Sequence, residues 1–473
     1  MALTRRITDV GTLPIELVGD DVEVLCLDGR SRRYLSLDFA ASTPALPSVL
    51  SAVNEFVPNY SSIHRGAGYK SQLSTRTYEL ARQAILGFVG KTGRSGLGND
   101  ISTAIICRNT TEAINHLAFR LGLSPTDTVI TTVVEHHANL LPWRRYSNVG
   151  YVECSREGTF TANDVRLKLD TFKNVRLLAI TGASNITGWS PDLETIITLA
   201  HERNLPVLVD CAQLAPHRQV PRDADFIVFS GHKLYAPFGG GALVGPAKFF
   251  EEGEPFLAGG GAVDLVGLDE VMWTSPPDRE EAGSPNVIGA VAMQSAIEFI
   301  RFLGWEAIES HDREISELLR KNLAKLNHVN VLGPSNPDGL LPVVTFIVGS
   351  MPHALVAARL SCEYGIGVRH GCFCAHPYLT RLLALSDTEI EEFRQQVRLG
   401  DRSSIPGAVR VSCGLSTSKS DIERFVSGLE AICASPDMNS QYIQDPTSGE
   451  YFPRDSKLEW YSAGLDLRPC GQS

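Results

Sequence analysis

The sequence predicts an α/β protein, with a mainly parallel sheet wrapped by helices and followed by a smaller α/β unit. Three observations carry this. From about residue 100, short apolar runs alternate with helix-length amphipathic stretches. A glycine-rich stretch (239–241, then 259–261) precedes a long helical pattern over about 286–302, and residues 305–435 read as helix, strands, helix. Strand–helix alternation requires crossover connections, and these make neighbouring strands parallel.

In order, strands are expected at 104–107 (AIIC), 128–132 (TVITT), 150–153 (GYVE), 176–181 (RLLAIT), 206–209 (PVLV) and 225–229 (DFIVF). Helices are expected between them at 111–121, 162–172 and 191–203. The run 340–348 (LLPVVTFIV) is too short to span a membrane and reads as a buried strand. Residues 382–401 (LLALSDTEIEEFRQQVRLGD) read as one short amphipathic helix. The expected layout is an N-terminal segment 1–35, a large unit 36–304, a small unit 305–435 and a turn-rich tail 436–473 laid on a surface. No internal repeat or low-complexity block is present.

The composition narrows the function. A hydrophobic fraction of 43% with 21% charged residues excludes a disordered or fibrous chain. Forty-three basic against 54 acidic residues give a net charge of -11, which argues against nucleic-acid and anionic-membrane partners. Arg5 and Arg6 are not followed by an apolar stretch, so no signal peptide is expected. The 10 cysteines have no paired zinc-type spacing, and no metal is expected. A reducing cytoplasm suits them.

Ligands of such sheets bind at the carboxyl ends of the strands, so the residues following each strand are the candidates. After 104–107 comes RNTTE, where Thr110 and Thr111 open a helix whose free N–H groups can seat a phosphate. After 128–132 comes EHHAN, with His136. Asp210 and Gln213 follow 206–209, and Ser230, His232 and Lys233 follow 225–229, ahead of three consecutive glycines. Together they offer a phosphate seat, an aromatic to stack on a ring, an acid for a pyridinium nitrogen and an amine to link to an aldehyde. That is the set pyridoxal 5'-phosphate needs.

At this point the chain resembles the class V aminotransferase group (fold type I), within its cysteine desulfurase and selenocysteine lyase branch. The resemblance runs from DFAAS at 38–42 to about residue 429. It rests on HRG (64–66), RNTTEAIN (108–115), EHHANLLPW (135–143), SNITG (184–188), VDCAQ (209–213), FSGHKLYAP (229–237) and EAGSPN (281–286). It implies a seven-stranded-type sheet and a homodimer. It also implies that Lys233 links to the cofactor and moves the Cα proton, that Asp210 meets the ring nitrogen and Gln213 the ring hydroxyl, and that His136 stacks on the ring. Thr110, Thr111, Ser230 and His232 would hold the phosphate, with Ser284 reaching over from a second subunit. Asn185 would face cofactor and substrate.

In RHGCFCA (369–375), Arg369 precedes Cys374 by five positions, as in the family. The resemblance makes Arg369 and Arg410 (in GAVRVSCG) the substrate carboxylate clamp and Cys374 the nucleophile that takes sulfur as a persulfide, leaving alanine. Cys372 is the rival thiol. The stretch between Cys374 and Arg410 is longer than in compact-loop desulfurases, and with the GCFC wording it is similar to the desulfurase-like domain of molybdenum-cofactor sulfurases. The leading expectation is a cysteine desulfurase acting on L-cysteine or a related thio-amino acid, with a protein or small-molecule sulfur acceptor. A C–S lyase or selenocysteine lyase is the second reading, and a silent cofactor-binding scaffold or sulfur-relay protein the third.

Overall fold

The strands expected between residues 104 and 229 all form, and they form one sheet. The computed structural model describes residues 13–64, 66–91 and 101–454, so Arg5, Arg6, Arg65 of the HRG stretch, Cys470 and the tail past 454 lie outside the described residues. Helices α1 (Pro47–Phe56) and α2 (Tyr69–Phe88) lead into β1 (Ser102–Cys107). The chain continues through α3 (Thr110–Arg120), β2 (Thr128–Thr132), β3 (Asn148–Val152), α4 (Ala162–Thr171), β4 (Val175–Thr181), α5 (Leu193–His201), β5 (Val207–Asp210), β6 (Phe226–Ser230) and β7 (Gly241–Pro246).

The strand order is β1-β7-β6-β5-β4-β2-β3. β2 pairs in parallel with β3 and β4, and β4, β5 and β6 pair in parallel in turn. β7 is antiparallel to both β1 and β6. β1, β2, β5 and β6 are buried along their whole length, as a sheet covered on both faces requires.

β7 is the strand that sequence reading did not separate from the glycine run. Gly241 pairs with both Cys107 and Ser230. A Cβ there would lie 2.6 Å from the Asn109 Cα. The glycine therefore lets the β1–α3 turn close against β7, which brings the start of α3 to Ser230 of β6.

The long helical pattern becomes α6 (Val287–Leu303), capped by the Asn286 side chain. Its buried face (Met293, Ile297, Ile300) shares a core with Phe88 and Phe229, whose ring centroids lie 5.7 Å apart. Gly304, at φ 77, turns the chain by 83° into α7 (Trp305–Leu323). Among the described residues no single helix is long and apolar enough to cross a membrane.

A second sheet follows, built from β8 (Val329–Leu332), β9 (Val343–Val348), β10 (Arg369–Gly371) and β11 (Ala408–Ser412), all antiparallel in the order β8-β9-β11-β10. β9 starts one residue after Pro342, which has no N–H for the ladder. Helices α8 (His353–Tyr364), α9 (His376–Leu382), α10 (Asp387–Arg398) and α11 (Lys419–Ala434) complete this part. Leu319, Phe346, Val411, Phe425 and Leu429 form its own core.

The helix expected over 382–401 forms as α10, starting five residues later, after α9 has ended at Leu382. Ala384, at φ 53, ends α9, and a Ser386–Glu389 capping box starts α10. Residues 13–35 attach to the small sheet's side, with Ile15 N–H donating to Leu415 O and Leu27 N–H to Cys362 O. The described part of the tail is ordered as an antiparallel hairpin, β12 (Tyr442–Gln444) and β13 (Tyr451–Pro453).

Candidate active site

Every residue expected at the site except Ser284 lines one cavity of 490 Å³. The cavity sits at the carboxyl edge of the large sheet and is closed on its far side by β10, the β10–α9 loop and the hairpin. Ser284 is exposed on the loop before α6 and does not line its own chain's cavity.

The floor belongs to the large sheet. Ser230 ends β6 and Thr110 begins α3. The Thr110 N–H donates to the Ser230 Oγ at 2.8 Å, and the two hydroxyls lie 2.7 Å apart. Asn109 caps α3 by accepting from the Glu112 N–H, and with the Thr110 N–H on Ser230 this leaves the Thr111 N–H at the helix start for an anion. Asp210 ends β5 and is buried. Burial pushes its carboxyl up, opposed by an N–H from Ala212 at 2.9 Å and by the Lys233 charge. Gln213 is also buried, and its Oε1 has no hydrogen-bond partner.

Lys233 stands on the turn after β6. Burial lowers its ammonium to about 8 against the pull of Asp210. His136 Nδ1 accepts from the Ala138 N–H at 3.1 Å, so in the neutral ring the proton sits on Nε2. Burial first and the Lys233 charge second hold this imidazole neutral, down to about 3. His232 is likewise lowered to about 4, by burial and then Lys233.

These residues fit pyridoxal phosphate. A buried amide oxygen without a partner, a buried carboxyl beside a lysine of lowered pKa, and paired hydroxyls at a helix start are costly to bury unless a ligand answers them.

The opposite wall is made by the small sheet. β10 and β11 place Arg369 directly across from Arg410. Arg410 is buried, donates from Nη1 to Asn185 O at 3.0 Å and from Nη2 to Asp38 Oδ1 at 2.7 Å, and its Nε is without a partner. Arg369 is mostly exposed and lies 3.9 Å from the other oxygen of Asp38. One aspartate thus holds both guanidiniums, a role that sequence reading missed although Asp38 was visible in DFAAS.

Cys374 is exposed at the cavity. It and Phe373 have φ of 55 and 53, a pair of left-handed non-glycine residues that turns the loop sharply. Several contacts hold that turn. Phe373 is buried with the Arg410 guanidinium 5.1 Å from its ring centroid, and its carbonyl accepts from Asn185 Nδ2 at 2.8 Å. The Cys374 carbonyl accepts from the His137 N–H at 2.7 Å. Asn185 therefore lines the cavity while its amide holds the cysteine loop. Cys372 is half-buried, and burial pushes its thiol up.

Sequence reading also missed Glu135, buried under the site, which accepts from Thr132, Asn139 and the Thr181 N–H. His353 and the hairpin residues Gln444, Ser448, Gly449 and Glu450, all lining the cavity, went unread as well.

The class-V aminotransferase model matches residues 35–425. A probable cysteine desulfurase of Halalkalibacterium halodurans is 31% identical over 406 residues, 83% of this chain and 92% of the relative. The cysteine desulfurase of Serratia proteamaculans is 30% identical over 434 residues, 89% of this chain and 98% of the relative. Among solved structures, the apo cysteine desulfurase from Thermococcus onnurineus NA1 superposes with a TM-score of 0.74 at 30% identity, covering 85% of this chain and 95% of that one. The cysteine desulfurase CsdA from Escherichia coli, in an S-sulfonic acid form, gives 0.70 at 30% identity, covering 84% and 94%. With the fold, the cavity and the motifs in agreement, this chain belongs to the class-V aminotransferase family.

Proposed function

We propose that this protein is a pyridoxal-phosphate-dependent cysteine desulfurase, converting L-cysteine to L-alanine and holding the sulfur on Cys374 for an acceptor. The observation that carries this reading is the loop that brings Cys374 into the same cavity as Lys233 and Asp210. The similarity to cysteine desulfurases over most of the chain supports it.

When bound, pyridoxal phosphate supplies an electron sink conjugated to the substrate Cα. Thr110, Thr111, Ser230 and His232 would seat its phosphate, Asp210 its ring nitrogen and Gln213 its ring hydroxyl, with His136 over the ring. Lys233 would anchor it and move the Cα proton, a task suited to an amine lowered to about 8. Arg369 and Arg410 would bind the substrate carboxylate by charge-assisted hydrogen bonds.

The Cys374 thiolate forms the S–S bond as the substrate C–S bond breaks, and the carbon fragment keeps the electron pair and takes a proton to become alanine. A protein or small-molecule thiol then removes the outer sulfur. We further propose a cytoplasmic homodimer in which Ser284 completes the partner's phosphate seat. Its units would be 36–304 and 305–435, with flanking segments 1–35 and 436–473.

Incubating the holoprotein with L-cysteine tests the reading. Alanine together with one added sulfur on the Cys374 peptide is expected. Pyruvate in place of alanine, with that peptide unmodified, would point instead to a lyase.

A further inference from the structure

The family match ends at residue 425, yet the cavity wall continues past it: Gln444, Ser448, Gly449 and Glu450 all line the cavity. The hairpin that carries them is fixed at several points. Tyr442 is buried and its hydroxyl donates to Glu363 at 3.0 Å. The Arg402 N–H donates to Pro446 O at 2.7 Å and Gln444 Nε2 to Ser403 O at 2.8 Å. It is a docked wall rather than a loose end.

From this wall a polar chain reaches β10. Glu450 Oε2 lies 2.9 Å from His370 Nε2, His370 Nδ1 lies 3.3 Å from His353 Nδ1, and His353 Nε2 lies 3.1 Å from Ile405 O. The Ile405 carbonyl can only accept, so His353 carries its proton on Nε2 and accepts at Nδ1. His370 turns its Nδ1 to His353 and its Nε2 to the Glu450 carboxylate, which accepts there. The contact between hairpin and strand is therefore a carboxylate–imidazole hydrogen bond. It matters because β10 has only three residues and lies at the edge of its sheet, with one neighbour to hold it. The residue beside His370 on that strand is Arg369.

We propose that the C-terminal hairpin completes the substrate end of the site. Glu450 serves as a positioning residue that acts through His370 to hold Arg369 where an amino-acid carboxylate binds. This rests on reading the cavity as an amino-acid site. It adds to the shared scaffold a recognition element for α-carboxylate ligands.

The test titrates holoprotein with L-alanine and with ethylamine, which differ only by the carboxylate, and follows the visible absorption. Glu450→Ala should weaken L-alanine about fivefold and leave ethylamine unchanged, the size expected of one half-exposed hydrogen bond. Glu450→Gln, which keeps an acceptor, should fall between it and wild type. In an Arg369→Ala background, Glu450→Ala should add nothing. Equal weakening of both ligands, no weakening of either, or full additivity with Arg369→Ala would overturn the proposal. The titration does not depend on desulfuration, so a failure to detect alanine from L-cysteine would remove the proposed function and leave this test standing.

Discussion

The two ends of the cavity are built in opposite ways. At the cofactor end, Asp210, Ser230 and Thr110 sit at strand and helix ends of a buried, mainly parallel sheet, and each position is fixed by main-chain geometry. At the substrate end, Cys374 stands on a left-handed turn, Arg369 on a three-residue edge strand, and the wall is a hairpin. The first end is rigid because the sheet holds it. The second is assembled from side-chain contacts between segments far apart in the chain, such as Asp38 with Arg410. This contrast suits a reaction in which the cofactor stays and the sulfur must leave.

The sharpest way to test the division is to remove its anchor. Lys233→Ala should cut alanine formation by about 10³-fold or more, measured at saturating pyridoxal phosphate, while thermal unfolding changes little. Retained activity in that variant would break the distinction between a fixed end and a variable one.

The two arginines sharpen it further. Arg369→Ala removes an exposed donor. It should raise KM for L-cysteine roughly 10- to 100-fold, the loss of a charged hydrogen bond, with stability unchanged. Arg410→Ala also leaves Asp38 and the Asn185 carbonyl without their partner. It should lower stability by roughly 1–3 kcal/mol in denaturant unfolding in addition to the KM effect. Equal stability losses in the two variants would contradict the picture of one buried and one exposed guanidinium.

A smaller effect follows from pH. The Lys233 amine must be neutral to attack an aldehyde, and its pKa is lowered to about 8 by burial. Uptake of pyridoxal phosphate by the apoprotein should therefore rise with pH and level off above about 8. An ordinary lysine would keep rising towards its usual value of about 10.4. Stopped-flow absorbance separates the two, and a rate still rising at pH 10 would contradict the burial argument.

The same contrast explains what the sequence made legible. Lys233, Asp210, Gln213 and Ser230 could be found because each follows an apolar run that declares its strand, and ligands bind where such strands end. β7 was missed because GALVGP begins inside a glycine run and carries no alternation. The double role of Asp38 was hidden because its partners lie more than 300 positions away, and no local pattern encodes that meeting. The hairpin read as a turn-rich tail because its two strands have three residues each, too short to show a period.

The central claim is that the site binds the substrate without Cys374 and that Cys374 alone takes the sulfur. Cys374→Ala tests this most directly, by adding L-cysteine to the holoprotein and recording visible absorption and alanine together. The account predicts that the spectrum still changes at wild-type substrate concentrations while alanine falls to background. Alanine formed at the wild-type rate, or a spectrum that no longer responds, would contradict it.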